Sequence, residues 1–486
     1  MTSTLPLLHA PMTRAPETPV AWRQGAPITL GRFLADVAAL AATLPPRSHV
    51  LNVCADRYRF SVGLAAAMVR GQASLLPPST DREMLRQLLL RFPDIYCLTE
   101  TAAPNIDLPQ TLYSAAQADV IPNFRDGRNL AIPLIPTDQI VVHAFTSGST
   151  GEPVPHCKRW GALVANVRAE AGRLGMTGDA DGGDDGPAAI VATVPPQHMY
   201  GLESTVLLAW QSGAALVAER PFYPADIVAA LERLPGRRML VTTPFHLRAL
   251  LDNDLTMPAV DRVVSATAPL SQALAADAER RFCAPLLEIY GCTETGQIAS
   301  RRPVETARWR LFPDVSLNLI DDTAWASGGH VGAAVALADA IELAEDFDTS
   351  REFALIGRAQ DMVNIAGKRT SLGYLNTQLN AIPGVVDGAF FMPDDASVDT
   401  VTRLGAVVVA PTLDAKRIVD ALRGRIDPVF LPRPIHLVEA LPRNATGKVT
   451  RAVLDAVLDR MTNPAPERKH DGDAHDPRSD PPRGRS

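Results

Sequence analysis

Between residues 188 and 289 short, mostly apolar runs alternate with segments of helical periodicity. The runs at 188–194, 214–218, 239–243, 262–266 and 286–289 carry apolar residues on both alternating faces, which predicts strands covered on both sides. Between them, 202–211 reads as a buried helix, 224–234 and 271–282 as amphipathic helices, and 245–251 as a further helix. Strand and helix in regular alternation predict βαβ units around a parallel sheet. In such sheets ligands sit beyond the carboxyl ends of the strands.

After Gly357 the pattern changes to a compact α+β order: a helix at 372–380, strands at 385–391 and 404–409, a helix at 415–426, a strand at 435–438, then a loop at 441–448 and a last helix. The expected fold class is therefore α/β, with a large N-terminal domain (1–356) of parallel-rich sheets flanked by helices. A small α+β C-terminal domain (357–462) follows it. Residues 463–486 hold no apolar side chain beyond two alanines, so that tail is expected to stay disordered. The Gly- and Asp-rich stretch 177–187 is expected to be a surface excursion.

Composition narrows the class of partner. The 486-residue chain carries a net charge of −7 with its basic residues scattered, which disfavours a nucleic-acid face. Its five cysteines are widely spaced and form no C-x-x-C pair, which argues against a disulfide framework or a zinc site and favours a reducing, cytoplasmic setting. Neither a signal-peptide pattern at the N-terminus nor an apolar run of membrane-spanning length is present.

Chemistry enters with Phe145-Thr146-Ser147-Gly148-Ser149-Thr150-Gly151-Glu152-Pro153, which follows the apolar run 140–145. Hydroxyls and backbone N–H groups presented together, with glycines permitting close approach, make a phosphate cradle. The spacing is not that of the ordinary G-x-x-x-x-G-K-[ST] loop, and taken alone such a loop is more often a flexible turn than a nucleotide site. Four further motifs accompany it: Pro196-Gln197-His198-Met199-Tyr200-Gly201, Tyr290-Gly291-Cys292-Thr293-Glu294, Gly357-Arg358 through Gly367-Lys368-Arg369, and Gly447-Lys448 in a turn before the last helix. An aromatic at 290 can stack on a base, and Thr293 and Glu294 offer oxygens to phosphate and Mg²⁺.

In that order and spacing the motifs resemble the adenylate-forming superfamily of acyl- and aryl-CoA synthetases, nonribosomal peptide adenylation domains and firefly luciferase. Within it, the compact length and the form of the loop are similar to the short aryl-acid ligases of aryl polyene and xanthomonadin-type pigment pathways. The resemblance implies an ATP- and Mg²⁺-dependent, two-step ligation. A carboxylate attacks the α-phosphate to give an acyl-adenylate; a mobile C-terminal domain then swings, and a thiol of CoA or of an acyl carrier protein displaces AMP. It implies that Thr146, Ser147, Gly148, Ser149, Thr150 and Gly151 cradle the β/γ-phosphates, that Thr293 and Glu294 serve catalysis with Glu294 on Mg²⁺, and that Lys448 bridges the carboxylate and the α-phosphate. Arg358 takes the ribose, and the adenine lies between the 265–269 turn, including Ala268, and Tyr290. Gln360, Gly367 and Arg369 are the hinge and gating positions.

The chain departs from the family pattern in several places. Val154 stands where a lysine is usual, so either Lys158 reaches back to the phosphates or that contact is missing. No T-G-D is present; by distance from Arg358 its carboxylate falls to Glu342, with Asp339 second. Ala266-Thr267 replaces a glycine pair before the adenine turn. The acid pocket is expected among His198, Tyr200, Gly201, Phe245, Ala266 and Gly291, whose small members leave a flat slot, with His198 or Thr242 in reach of a ring hydroxyl. The expected substrate is a hydroxybenzoate-like acid; a medium-chain fatty acid, or an inactive acyl-binding relative, are the alternatives.

Overall fold

The computed structural model describes residues 3–9, 15–113, 131–147, 153–176, 188–321, 323–358, 362–365, 368–392, 403–442, 449 and 451–462. The 177–187 stretch and the 463–486 tail lie outside them.

The apolar runs form the centre of an eleven-stranded sheet. Leu286–Cys292, Arg262–Ser265, Arg238–Thr242, Ala189–Ala192, Ala215–Val217 and Pro19–Arg23 lie side by side in that order, all parallel. Val191, Leu240, Val241, Val263 and Val264 are fully buried, as strands sandwiched between helix layers must be. The intervening helices start where local chemistry allows. Thr243 caps Pro244–Leu251, with proline at the first turn, and Ser271 caps Gln272–Phe282 by accepting from Leu274 N–H. The 202–211 helix runs within Met199–Ser212 and contains a π-helical stretch, Leu202–Leu207.

One feature departs from the sequence reading. The strand expected at 286–289 continues to Cys292 and turns back through Thr293–Thr295 into the antiparallel strand Gly296–Arg301. Tyr290, Gly291 and Cys292 are thus strand residues, and Glu294 sits in a hairpin turn. A second sheet, of six strands, is built from the N-terminal region with Ile140–Ser147 and Pro153–Arg159 at one edge. Its strands at His49–Asn52, Ala73–Leu76 and Ile95–Thr99 are parallel.

Past Gly357 the chain builds its own core from Leu375, Leu379, Phe390, Val408, Ile418 and Leu422. Its strands Asp387–Phe391, Gly405–Val409 and Ile435–Leu437 form one sheet. At the junction Gly357 has φ +143°, and a Cβ there would fall 2.1 Å from Ser371 Oγ, so only glycine fits. Arg248 donates to the Val386 carbonyl at 3.2 Å, tying the large sheet's helix layer to the C-terminal part.

Candidate active site

The phosphate-loop segment is a β-hairpin: Thr146 pairs with Val154 and Ser147 with Pro153. Gly148, Ser149, Thr150 and Gly151 lie outside the described residues. Along Pro153–Arg159 the side chains of Val154, His156 and Lys158 fall on one face, as alternation requires. Val154 is exposed. His156 Nε2 shares a 2.9 Å hydrogen bond with Thr146 Oγ1 and lies 3.7 Å from Glu294 Oε1. Lys158 pairs with Val142, five pairs along from Ser147–Pro153, and its Nζ donates to the Glu294 carbonyl at 2.9 Å. Of the two alternatives for Lys158, its bond to the Glu294 carbonyl favours the one in which the phosphate contact is missing. Its ammonium points beneath the Thr293–Thr295 turn, and the basic group beside Thr146 is His156, which sequence reasoning missed.

Lys158 is only 8 % exposed, and burial pulls its pKa down, opposed chiefly by the Glu203 carboxylate. Glu203, 2 % exposed, is pushed up to about 7 by burial, with Lys158 pulling the other way. Asn166 Nδ2 donates to Glu203 Oε1 at 3.1 Å, and Gln297 Nε2 to Ser204 Oγ at 2.7 Å. Helix Trp160–Arg173 adds Glu170, fully buried and raised to about 8 by burial. This polar layer lies directly under the turn that carries Glu294.

Four residues before Glu294, Tyr290 Oη donates to Asp339 Oδ2 at 2.7 Å, with its ring against Trp309 and Phe353. Asp339 pairs across the ladder with Arg358, whereas Glu342 is exposed and sits opposite Ala354. Of the two carboxylates, it is Asp339 that the strand register brings to Tyr290 and opposite Arg358. In the neighbouring turn, Thr267 has φ +80°, a left-handed conformation that a β-branched residue adopts only under strain. Ala268 follows it, half-buried. The residue standing in the glycine position thus keeps a glycine-like backbone.

The acid-pocket residues divide. His198 Nδ1 accepts from Tyr200 N–H at 3.2 Å and starts the helix. Tyr200 Oη is shared between the Thr242 and Val264 carbonyls, each at 3.1 Å, so its polar group is committed to the sheet. Thr242 Oγ1 is likewise paired with Thr193. A Cβ on Gly201 would meet Pro195 O at 2.0 Å, and one on Gly291 would meet Gly296 O at 2.2 Å. These two glycines admit backbone rather than substrate, which corrects the flat-slot argument. Ala266 is buried. Phe245 is 47 % exposed and lies edge-on to His246, which Phe222 meets edge-on from another side. His246 Nδ1 is bonded to Thr243 Oγ1, while its buried Nε2 has no partner among the described residues.

Arg57 is fully buried. Its guanidinium holds the carbonyls of Ala192, Val194, Val217 and Glu219 at 2.8–2.9 Å, bracing the ends of two central strands. Burial lowers it to about 10, still charged at neutral pH. Lys448, Gln360 and Gly367 lie outside the described residues; Arg369 is placed by backbone alone, opposite Asn364. Among the described residues no group of three or more His, Cys, Asp or Glu could hold a metal alone, and no described helix is long and apolar enough to cross a membrane.

A profile described as AMP-binding enzyme matches residues 100–353, more than half of the chain. The chain belongs to the AMP-binding enzyme family. It is an AMP-forming acid–thiol ligase. Similar curated proteins include the 4-coumarate–CoA ligases of Rhodobacter capsulatus, 31 % identical over 308 residues, and of Halorhodospira halophila, 30 % identical over 312. These alignments cover 62 % and 63 % of this chain and 73 % of each relative. Among solved structures, ATP-bound MatB from Rhodopseudomonas palustris superposes with a TM-score of 0.75 at 17 % identity, covering 92 % of this chain and 97 % of that one. That likeness bears on the fold: a large N-terminal and a small C-terminal part.

Proposed function

We propose that this ligase activates an aryl acid of the hydroxybenzoate type as its adenylate and hands the acyl group to a phosphopantetheine thiol, carried by an acyl carrier protein or by CoA. The observation that carries the ligase chemistry is the meeting of Thr146, His156 and Glu294 from three separate segments at the foot of the 148–152 loop.

Phosphoryl transfer of this kind asks for positioning and charge neutralisation rather than a protein nucleophile. The loop hydroxyls and N–H groups hold the phosphates, Asp339 with Arg358 takes the ribose, and Tyr290 faces the base. The residues fit magnesium. Glu294 is half-exposed, and one carboxylate completed by substrate phosphates is this ion's usual protein share. When bound, the ion supplies positive charge to the departing pyrophosphate. Lys448 bridges the acid's carboxylate and the α-phosphate, and the 1–356 and 357–462 parts reorient about Gln360 between the two half-reactions.

The aryl reading is supported by the aromatic wall of Phe222, Phe245 and His246, and by two relatives named for an aryl acid, 4-coumarate. The test is ATP–pyrophosphate exchange with hydroxybenzoates, cinnamates, octanoate and succinate, followed by transfer to CoA and to a carrier protein in parallel. A clear preference for octanoate removes the aryl reading and leaves the ligase reading standing; no exchange with any acid removes both.

A further inference from the structure

Lys158 poses a question of cost. An ammonium this deeply buried is expensive unless charge and hydrogen bonds compensate it, yet its strand could have carried a threonine or valine at no cost. Two compensating groups are found, and they are on different elements. One is the Glu294 carbonyl, 2.9 Å from Nζ. The other is the carboxylate of Glu203, on the helix that His198 begins, itself fixed by Asn166 from helix Trp160–Arg173. The turn is seated on this assembly without slack: Gly296 has φ +76°, and a Cβ there would lie 2.3 Å from Asn166 Nδ2 and 3.1 Å from Glu203 Oε1.

A main-chain hydrogen bond to residue 294 fixes the height and direction of a three-residue turn whose side chain at that position lies 3.7 Å from His156, itself bonded to Thr146. We propose that Lys158 is a positioning residue for magnesium. Backed by Glu203, it clamps the Glu294 main chain so that the carboxylate is held toward the phosphate loop, and it does not itself touch the phosphates. The proposal rests on Glu294 being the magnesium ligand. Groups that orient a metal ligand typically contribute about 10–100-fold in metal affinity.

The test is calorimetric ATP binding, titrated with and without Mg²⁺, on the wild type, Lys158→Met, Lys158→Arg, Lys158→Met/Glu203→Gln and Glu294→Gln. The double variant removes both charges, so that a folded protein is available even where the single change leaves Glu203 buried alone. The expected result is that Lys158→Met and the double variant need about tenfold more Mg²⁺ for half-maximal enhancement of ATP binding, that Mg²⁺-free ATP binding is unchanged, and that Lys158→Arg regains part of the loss. Equal weakening with and without Mg²⁺ overturns the proposal, because it makes Lys158 a direct phosphate contact; so does an unaltered Mg²⁺ requirement in the folded double variant. Glu294→Gln separates the two ideas: if it keeps the wild-type Mg²⁺ enhancement, the assignment of Glu294 itself has failed and the clamp with it.

Discussion

His156 Nε2 lies 3.7 Å from Glu294 Oε1 and shares a 2.9 Å hydrogen bond with Thr146 Oγ1, so one imidazole joins the rim of the phosphate loop to the turn opposite. Val154, two residues earlier on the same strand face, is exposed and offers the phosphates nothing. In the proposed mechanism His156, rather than the residue at 154, offers the phosphates a polar side chain.

His156→Ala is expected to raise KM for ATP in pyrophosphate exchange by about tenfold, the worth of one hydrogen bond to a charged group, ~1.5–3 kcal/mol. His156→Gln, which keeps a donor, should recover most of it. Equal KM values for the alanine variant and the wild type would refute a phosphate-side role.

Lys448→Ala should depress adenylate formation by about 10²–10³-fold, since its charge is useful while negative charge collects on the α-phosphate. ATP binding, and thioester formation from supplied adenylate, should persist. Near-normal pyrophosphate exchange would remove Lys448 from the mechanism.

Much of this was legible in the chain before any coordinates. Runs such as Ala189–Ala192 and Arg238–Thr242 are apolar on both faces because both faces are covered, and periodicity reports that directly. Hairpins are harder to see. The apolar run ends at Ile289, but the strand continues to Cys292, where the missing side chain of Gly291 admits the returning strand at Gly296 rather than substrate. Gly201 misled in the same way: a glycine freed for substrate and a glycine pressed against a carbonyl look identical in sequence. Lys158 was the nearest lysine by number, but its register opposite Val142 decides where the ammonium goes. Arg57 and Glu203 carry no local signal, because their partners lie more than 35 residues away in the chain.

Stability should fall with rising pH through the range set by Glu170. Burial raises this carboxyl from 4.5 to about 8 in the fold, with Ser204 and Gln297 pulling the other way. Between those values the native state keeps a proton that the unfolded chain releases, so the native state binds more protons and loses stability as pH rises. Glu170→Gln cannot titrate there. Its melting temperature relative to the wild type should therefore climb between pH 5.5 and pH 8.5. A difference that stays constant across that range would mean that the carboxyl is not held protonated.

The two ribose candidates differ in register, and that difference is measurable. Asp339 is bonded to Tyr290 Oη and stands opposite Arg358; Glu342 is exposed and stands opposite Ala354. A carboxylate that accepts both ribose hydroxyls discriminates ATP from its 2′-deoxy analogue, because removing one hydroxyl leaves an acceptor unpaired. Asp339→Asn should weaken AMP and ATP binding by about tenfold or more, an expected loss of ~1.5–3 kcal/mol, and should reduce the preference for ATP over 2′-deoxy-ATP. Glu342→Gln should leave both unchanged. Asn keeps the size of Asp and can still bond Tyr290, so the fold is preserved and the readout is the lost charge. If Glu342→Gln carried the larger loss, the bulge between Ala340 and Ile341 would have to rotate that strand in solution, and the assignment of the ribose carboxylate would return to Glu342.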